Sequence, residues 1–173
     1  MAVKGQAYTK TTWAFEERPV ASSKLNLWDD RVEAAIELIH FLLSQAWGGG
    51  SGVIRGATEH DLEAVAMSPP GLSAEVNSGY AFIERFPYKL DAATETAEVT
   101  APASDPRIDL VQARLATWDV GVKEGMEAAT PVAPEADEGC IAVAELYLRA
   151  GMTCIKDADD GVNGYVTDSR QFV

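Results

Sequence analysis

Apolar residues recur at alternating steps of three and four between residues 25 and 46, and a glycine-rich run follows them directly. This spacing places them on one face of an α-helix, as in the seam of a coiled coil. We predict an amphipathic helix over 26–47, with Asn26 as its N-cap and Asp29 and Asp30 in its first turn, where the helix dipole favours negative charge. The apolar stripe consists of Leu25, Trp28, Val32, Ala35, Ile39, Leu42 and Ala46.

The stripe has to be buried, because leaving it in water forfeits about 25 cal/mol for each Å² of apolar area. Packing against the rest of the same chain is one solution, and short globular helices usually adopt it. The strict spacing, the glycine tether and the bulk of Trp28 favour assembly with other copies instead. We therefore predict a homo-oligomer, in the form of a trimer with its helices bundled around the axis and the stripe as the interface.

The glycine run also divides the chain. We predict an N-terminal arm over 1–25, the oligomerisation helix over 26–47, a glycine hinge over 48–52 and a β domain over 53–173. Glycine stops a helix because it carries a large entropy cost there. Past the hinge, short β-type runs alternate with turn signals, which is typical of an antiparallel β-sandwich or jelly-roll-like domain. The predicted fold class is mainly β, preceded by one long amphipathic helix.

The predicted strands are separated by recognisable breakers. Asn77-Ser78-Gly79 is typical of a tight hairpin loop. The runs 141–149 and 60–67 are ambiguous, because their residues also have good helix propensity. The strand candidates are 52–55, 62–67, 72–76, 80–85, 95–100, 108–118, 141–149 and 165–166.

The charge balance excludes some partners. The chain carries 14 Lys+Arg against 27 Asp+Glu, a formal net charge of −13, so nucleic-acid backbones and anionic membrane surfaces would repel it. No apolar run approaches the ~18 residues of a membrane span. The polar first ten residues lack the apolar core of a signal peptide, so we expect synthesis and folding in a cytoplasm.

The usual catalytic and metal motifs are incomplete. The glycine run lacks the terminal Lys-Ser/Thr of a phosphate-binding loop, and residues 71–75 lack the last glycine of a serine-hydrolase elbow. Neither His40 and His60 nor the two cysteines have zinc-ligand spacing. We predict that the protein is not an enzyme and holds no cofactor and no metal.

The two cysteines and the acidic run at 157–160 each have two possible interpretations. Cys140 and Cys154 are read as small core residues of a reduced protein, with a disulfide as the alternative. The acidic run Asp157–Asp160 has the wrong register for a calcium loop, which favours a solvated turn over a looser calcium site.

Several short motifs follow one another in a characteristic order. The longest, residues 101–111, reads APASDPRIDLV and continues into Ala113-Arg114-Leu115. The others are GYAFI at 79–83, PVAPE at 131–135, IAVAEL at 141–146 and VTDSR at 166–170.

This ordered set, over about residues 52–170, resembles tail-fibre and baseplate adaptor proteins of tailed bacteriophages, in an upper-baseplate-like β-sandwich family. The resemblance implies a virion structural protein, commonly trimeric, that joins fibres or receptor-binding parts to the tail tip. It implies other copies of the chain and other tail or baseplate proteins as partners, with no nucleic acid and no membrane insertion. Many relatives continue into a fibre or receptor-binding domain, whereas this sequence ends at Val173, which favours an adaptor or baseplate-plug role.

The motif residues have a physical interpretation of their own. Pro106 fixes its own φ and keeps Asp105 extended, so the entry to the following strand is rigid. Arg107 and Asp109 share one face of that strand, and the closing motif repeats this arrangement. We interpret Arg107, Asp109, Asp168 and Arg170 as ties near an inter-subunit edge, with ordinary surface charges as the alternative.

A second function from another class competes with the adaptor. A carbohydrate-binding module contacting the host cell surface would need aromatic platforms, and Trp118, Tyr80 or Tyr88 could serve. An enzyme acting on cell-wall or capsule glycans is a third reading that no motif supports.

Overall fold

A computed structural model describes residues 21–46, 48, 50–56 and 59–173, apart from the side chain of Ser44. Residues 1–20 of the predicted arm, and Trp47 at the predicted helix end, lie outside the described residues. The chain divides between Gly49 and Gly50 into two compact units. Each unit is described by itself.

The first unit contains the helix α1, Ser22–Ala46. It begins four residues before the predicted N-cap, so residues 22–25 belong to the helix and not to an arm. The prediction of Asn26 as N-cap is wrong, because Lys24 and Leu25 are good helix formers and extend the helix backwards. The amides of both residues donate to the Ala21 carbonyl, at 3.0 and 3.3 Å. The first turn consequently holds no acidic residue.

The second unit contains only strands, turns and irregular segments among its described residues. The strands are β1 Gly52–Val53, β2 Ala64–Ala66, β3 Ala74–Val76, β4 Gly79–Ile83, β5 Phe86–Leu90, β6 Thr94–Glu95, β7 Arg107–Arg114, β8 Asp119–Lys123, β9 Cys140–Leu148, β10 Ile155–Lys156 and β11 Gly164–Asp168.

Three sheets form, with strand orders β1-β4-β5, β2-β3-β6 and β10-β11-β9-β7-β8. Paired strands are antiparallel, apart from β10 and β11. The predicted fold class, mainly β with one helix before the strands, is confirmed. Among the described residues no helix combines the length and the apolar character that a bilayer span needs.

The structure resolves the ambiguous segments. Residues 141–149 form most of β9, whose side chains alternate between buried and half-buried positions, and part of 60–67 forms β2. The prediction of a hairpin at Asn77-Ser78-Gly79 is wrong, since β3 and β4 pair in different sheets.

One core joins the three sheets. Large side chains that are fully buried include Leu62, Tyr88, Leu146 and Ile155. The C-terminal segment lies against β1, where the amide of Val53 donates to the carbonyl of Gln171 at 2.7 Å. Gly52, predicted as part of the hinge, is a buried residue of β1. A Cβ there would lie 2.6 Å from the Gln171 oxygen, so this glycine allows a close backbone approach.

Candidate functional site

Most residues of the apolar stripe of α1 are exposed. Leu25 and Trp28 are each 47% exposed, and Ile39 and Leu42 are 55% and 56% exposed. Ala46 is also exposed, whereas Val32 and Ala35 are half-buried. Ile36 and Leu43 widen the stripe on one side and are 47% and 43% exposed.

Five of the seven stripe residues, spread along α1 from Leu25 to Ala46, are exposed. An apolar surface of this length marks an interaction site more often than a solvated face.

The motif pair Arg107 and Asp109 lies inside the β unit. The two side chains are only 6% and 2% exposed. The Nε and Nη2 of Arg107 donate to the two carboxylate oxygens of Asp109, at 2.8 and 3.0 Å. Neither sequence interpretation of these two charges holds: they are not ordinary surface charges, and they are too deeply buried to tie one subunit to another.

The remaining partners of this buried pair fix the surrounding loops. Arg107 also donates to the Thr100 carbonyl at 3.0 Å and to the Glu124 carboxylate at 2.6 Å. Asp109 accepts a hydrogen bond from the amide of Gly125 at 2.9 Å. The pair therefore joins the segments before β7 and after β8, which is a role in the fold. Pro106 stands directly before β7, as its fixed φ predicts.

The closing pair has a different environment. The side chain of Arg170 is 5% exposed, whereas that of Asp168 is 52% exposed. Arg170 makes two hydrogen bonds with Asp168, at 2.9 and 2.7 Å, and donates to the carbonyls of Glu59 and Asp61. The guanidinium of Arg170 thus attaches β11 to the segment before β2. Its hydrogen bonds hold the pKa of Asp168 below the ordinary value.

The acidic run 157–160 uses its carboxylates internally. Asp157 accepts from the amide of Ala66 and Asp159 from Arg149, while Asp160 accepts from the amides of Val162 and Asn163. These contacts close a turn and leave the carboxylates facing separate partners. In the described part of the chain, no group of three or more His, Cys, Asp or Glu side chains could hold a metal ion.

The two cysteines are free and half-buried, and burial raises the pKa of the Cys140 thiol. Cys140 lines a cleft of about 190 Å³ beside β1, together with Ser51, Ala136 and Gln171. Pockets that take small molecules are usually about 300–1,000 Å³. The cleft is too small to serve as a substrate site of that kind.

The aromatic residues considered as platforms separate into two groups. Tyr88 is 1% exposed, so the prediction that it could serve as a platform is wrong: its position in β5 faces the core. Tyr80 and Trp118 are 51% and 54% exposed. Lys89 lies over the Tyr80 ring, and Trp118 stacks on Tyr88.

A polar network beside Trp118 is the feature that sequence reasoning missed. Arg114, at the end of β7, pairs with Asp119, at the start of β8, and Thr117 donates to the same carboxylate. The sequence signal for this network was an aromatic residue, Trp118, which lies between Thr117 and Asp119 and four residues after Arg114. Because that turn contains no Gly, Asn or Pro, its position was not evident from the sequence.

Comparisons with protein-family models, with curated proteins and with solved structures returned no match for this chain.

Proposed function

We propose that this protein is an oligomeric structural adaptor of a bacteriophage virion, in the tail tip, baseplate or fibre-attachment region. The observation that carries the proposal is the exposed apolar stripe of α1, which stands before a β unit in a chain with a glycine-rich connection. An adaptor needs one element that assembles and another that presents a fixed surface. In this proposal α1 is the element that assembles, and the β unit presents the surface.

The stripe supports assembly with further copies of the same helix. Its residues occupy every a and d position of successive heptads, which is the arrangement that packs knobs into holes. The indole of Trp28, at a d position, is larger than the core of a two-stranded coil usually accepts. A three-helix bundle has a wider core, and this favours a homotrimer.

The β unit supports the presentation of a fixed surface. Arg107 and Asp109 join the loops beside β7, and Arg170 attaches the C-terminal segment to the chain before β2. Buried and fully hydrogen-bonded charges of this kind rigidify a domain. The motif residues that resemble the phage adaptors thus act within the subunit, where they keep the unit rigid enough to bind a neighbouring tail or baseplate protein.

The placement in a virion rests on the ordered motifs between residues 52 and 170. An adaptor of this kind acts through contacts with itself and with other tail proteins, and it needs neither turnover nor a cofactor. The net charge of −13 disfavours the packaged nucleic acid as a partner.

Immunogold labelling of purified particles tests the placement. An antibody raised against the β unit is expected to label one end of the tail, at the tip or at the fibre attachment. Particles that lack the chain altogether, or a label confined to the capsid, would contradict the proposal.

A further inference from the structure

Trp118 occupies a strained position in the turn between β7 and β8. Its φ is +55°, a left-handed conformation that is unusual for a large side chain. Its amide donates to the Arg114 carbonyl at 3.0 Å, which holds the turn in place. Strain of this kind persists only where the surroundings impose it and is concentrated at ligand-binding positions.

The orientation of the Trp118 ring is set by a buried neighbour. The ring stacks on Tyr88, with 6.0 Å between centroids and 20° between planes. Tyr88 is itself fixed, since it is 1% exposed and its hydroxyl donates to the Asp119 carbonyl at 2.8 Å. With one face directed at Tyr88 and 54% of its surface exposed, Trp118 presents its other face to solvent.

Half-exposed polar groups flank Trp118 in the same turn. Arg114 donates from Nε and Nη2 to the two oxygens of Asp119, at 2.7 and 2.8 Å, and the two side chains are 41% and 40% exposed. The Thr117 hydroxyl donates to Asp119 Oδ1 at 2.5 Å. Oδ2 of Asp119 keeps a lone pair for a further donor. Hydrogen bonding to Arg114 keeps the pKa of Asp119 below its ordinary value, so the acceptor stays ionised.

We propose that Trp118, with Arg114, Thr117 and Asp119, forms a binding site for one pyranose unit of an oligosaccharide. A pyranose has an apolar face of C–H groups, which stacks on an aromatic ring, and an edge of neighbouring hydroxyls. An ionised carboxylate paired with a guanidinium provides an acceptor and donors side by side for such an edge. An aromatic surface with a few fixed polar groups is the usual composition of a small-ligand site.

This chemistry does not depend on the proposed assembly, because all four residues belong to the β unit. Tyr80 is the natural comparison. Tyr80 is exposed to nearly the same extent as Trp118. The cation of Lys89 lies over the Tyr80 ring, 5.9 Å from its centroid, whereas Trp118 is followed by the carboxylate of Asp119. If exposure of an aromatic ring alone were sufficient, Tyr80 and Trp118 would bind a sugar equally well.

Saturation-transfer NMR and calorimetry on the full chain test the site, with maltohexaose, cellohexaose and chitohexaose as probes. We expect at least one of them to bind saturably, with transfer strongest at the ring C–H protons. Trp118→Ala is expected to weaken that binding by about tenfold or more, whereas Trp118→Phe keeps most of it. Tyr80→Ala, the matched control, should change the affinity by less than about twofold.

Thr117→Val replaces a hydroxyl by a methyl group of nearly the same size and leaves Trp118 and Tyr88 unchanged, so it tests the polar half of the site. We expect it to weaken binding several-fold. The proposal is overturned if none of the three probes binds at concentrations up to about 10 mM, or if Trp118→Ala and Thr117→Val bind as tightly as Tyr80→Ala does.

Discussion

At the scale of single residues, the β unit depends on two buried cations. Arg107 and Arg170 have side chains that are 6% and 5% exposed, and both guanidiniums are surrounded by carboxylate and carbonyl oxygens. Withdrawing a charge from water is costly, and such a residue is tolerated only when its donors find partners. Arg107 joins the segments on either side of β7 and β8, and Arg170 joins the C-terminal segment to the chain before β2, so their hydrogen bonds report on the fold of the β unit.

Replacing Arg107 by methionine tests this dependence. The substitution leaves Asp109 buried without its cation, and we expect the free energy of unfolding to fall by about 3–5 kcal/mol. Urea denaturation followed by circular dichroism measures the change. Arg55→Met is the control, because Arg55 and its partner Glu59 are 57% and 65% exposed and an exposed pair contributes about 0–1 kcal/mol. Equal losses in the two variants would contradict the account.

Asp168 predicts a dependence of stability on pH. Its pKa is lowered in the folded chain, chiefly by hydrogen bonds from Arg170. The ionised carboxylate therefore stabilises the fold above the unfolded pKa of about 3.9, and this contribution is lost as the pH falls through the lowered folded value. Asp168→Asn should lower Tm at pH 7 and reduce the drop in Tm between pH 7 and pH 3. A drop of the same size as in the unsubstituted chain would rule this out.

At the scale of elements, turn chemistry decided which strands could be predicted. The strong breakers around 68–71 and 102–106 marked real boundaries. The hairpin between β4 and β5 turns at Glu84 and Arg85, which both have positive φ although neither is a glycine, and the β7–β8 turn ends at Trp118. Pro87 in β5 further weakened the β signal, since proline is confined to edge strands. β5 and β8 were consequently not predicted.

The apolar stripe was predictable because heptad spacing is a property of a single helix. The burial of Arg107 and Asp109 was not, since it depends on loops distant in sequence that close over β7. A charge at a strand position is ordinarily exposed, and only the position of Thr100 and Glu124 in the fold reverses that expectation.

Gly52 provides a test at the same scale. A methyl group there would lie 2.6 Å from the carbonyl oxygen of Gln171, so Gly52→Ala has to displace the C-terminal segment from β1. We expect it to cost about 1–3 kcal/mol of unfolding free energy. At Gly71 an added Cβ meets nothing within 4 Å, and Gly71→Ala should change stability by no more than about 0.5 kcal/mol. Denaturant midpoints compare the two, and an unaffected Gly52→Ala would place the C-terminal segment elsewhere.

At the scale of the whole molecule, the two units call for different kinds of contact. The β unit has a core of its own that joins three sheets, whereas most residues of the apolar stripe of α1 are exposed. Burying that stripe against other copies would stabilise the assembly by about 25 cal/mol for each Å² of apolar area removed from water. We therefore expect the chain to oligomerise through the apolar stripe of α1.

Light scattering coupled to size-exclusion chromatography tests this claim most directly. The unsubstituted chain is expected to have three times the mass of one subunit. Ile39→Asp combined with Leu42→Asp places two charges in the stripe and should reduce the mass to that of a monomer. Leu27→Asp introduces the same chemistry at an exposed leucine outside the stripe and should keep the trimer. A double variant that keeps the mass of the unsubstituted chain would contradict assembly through the stripe.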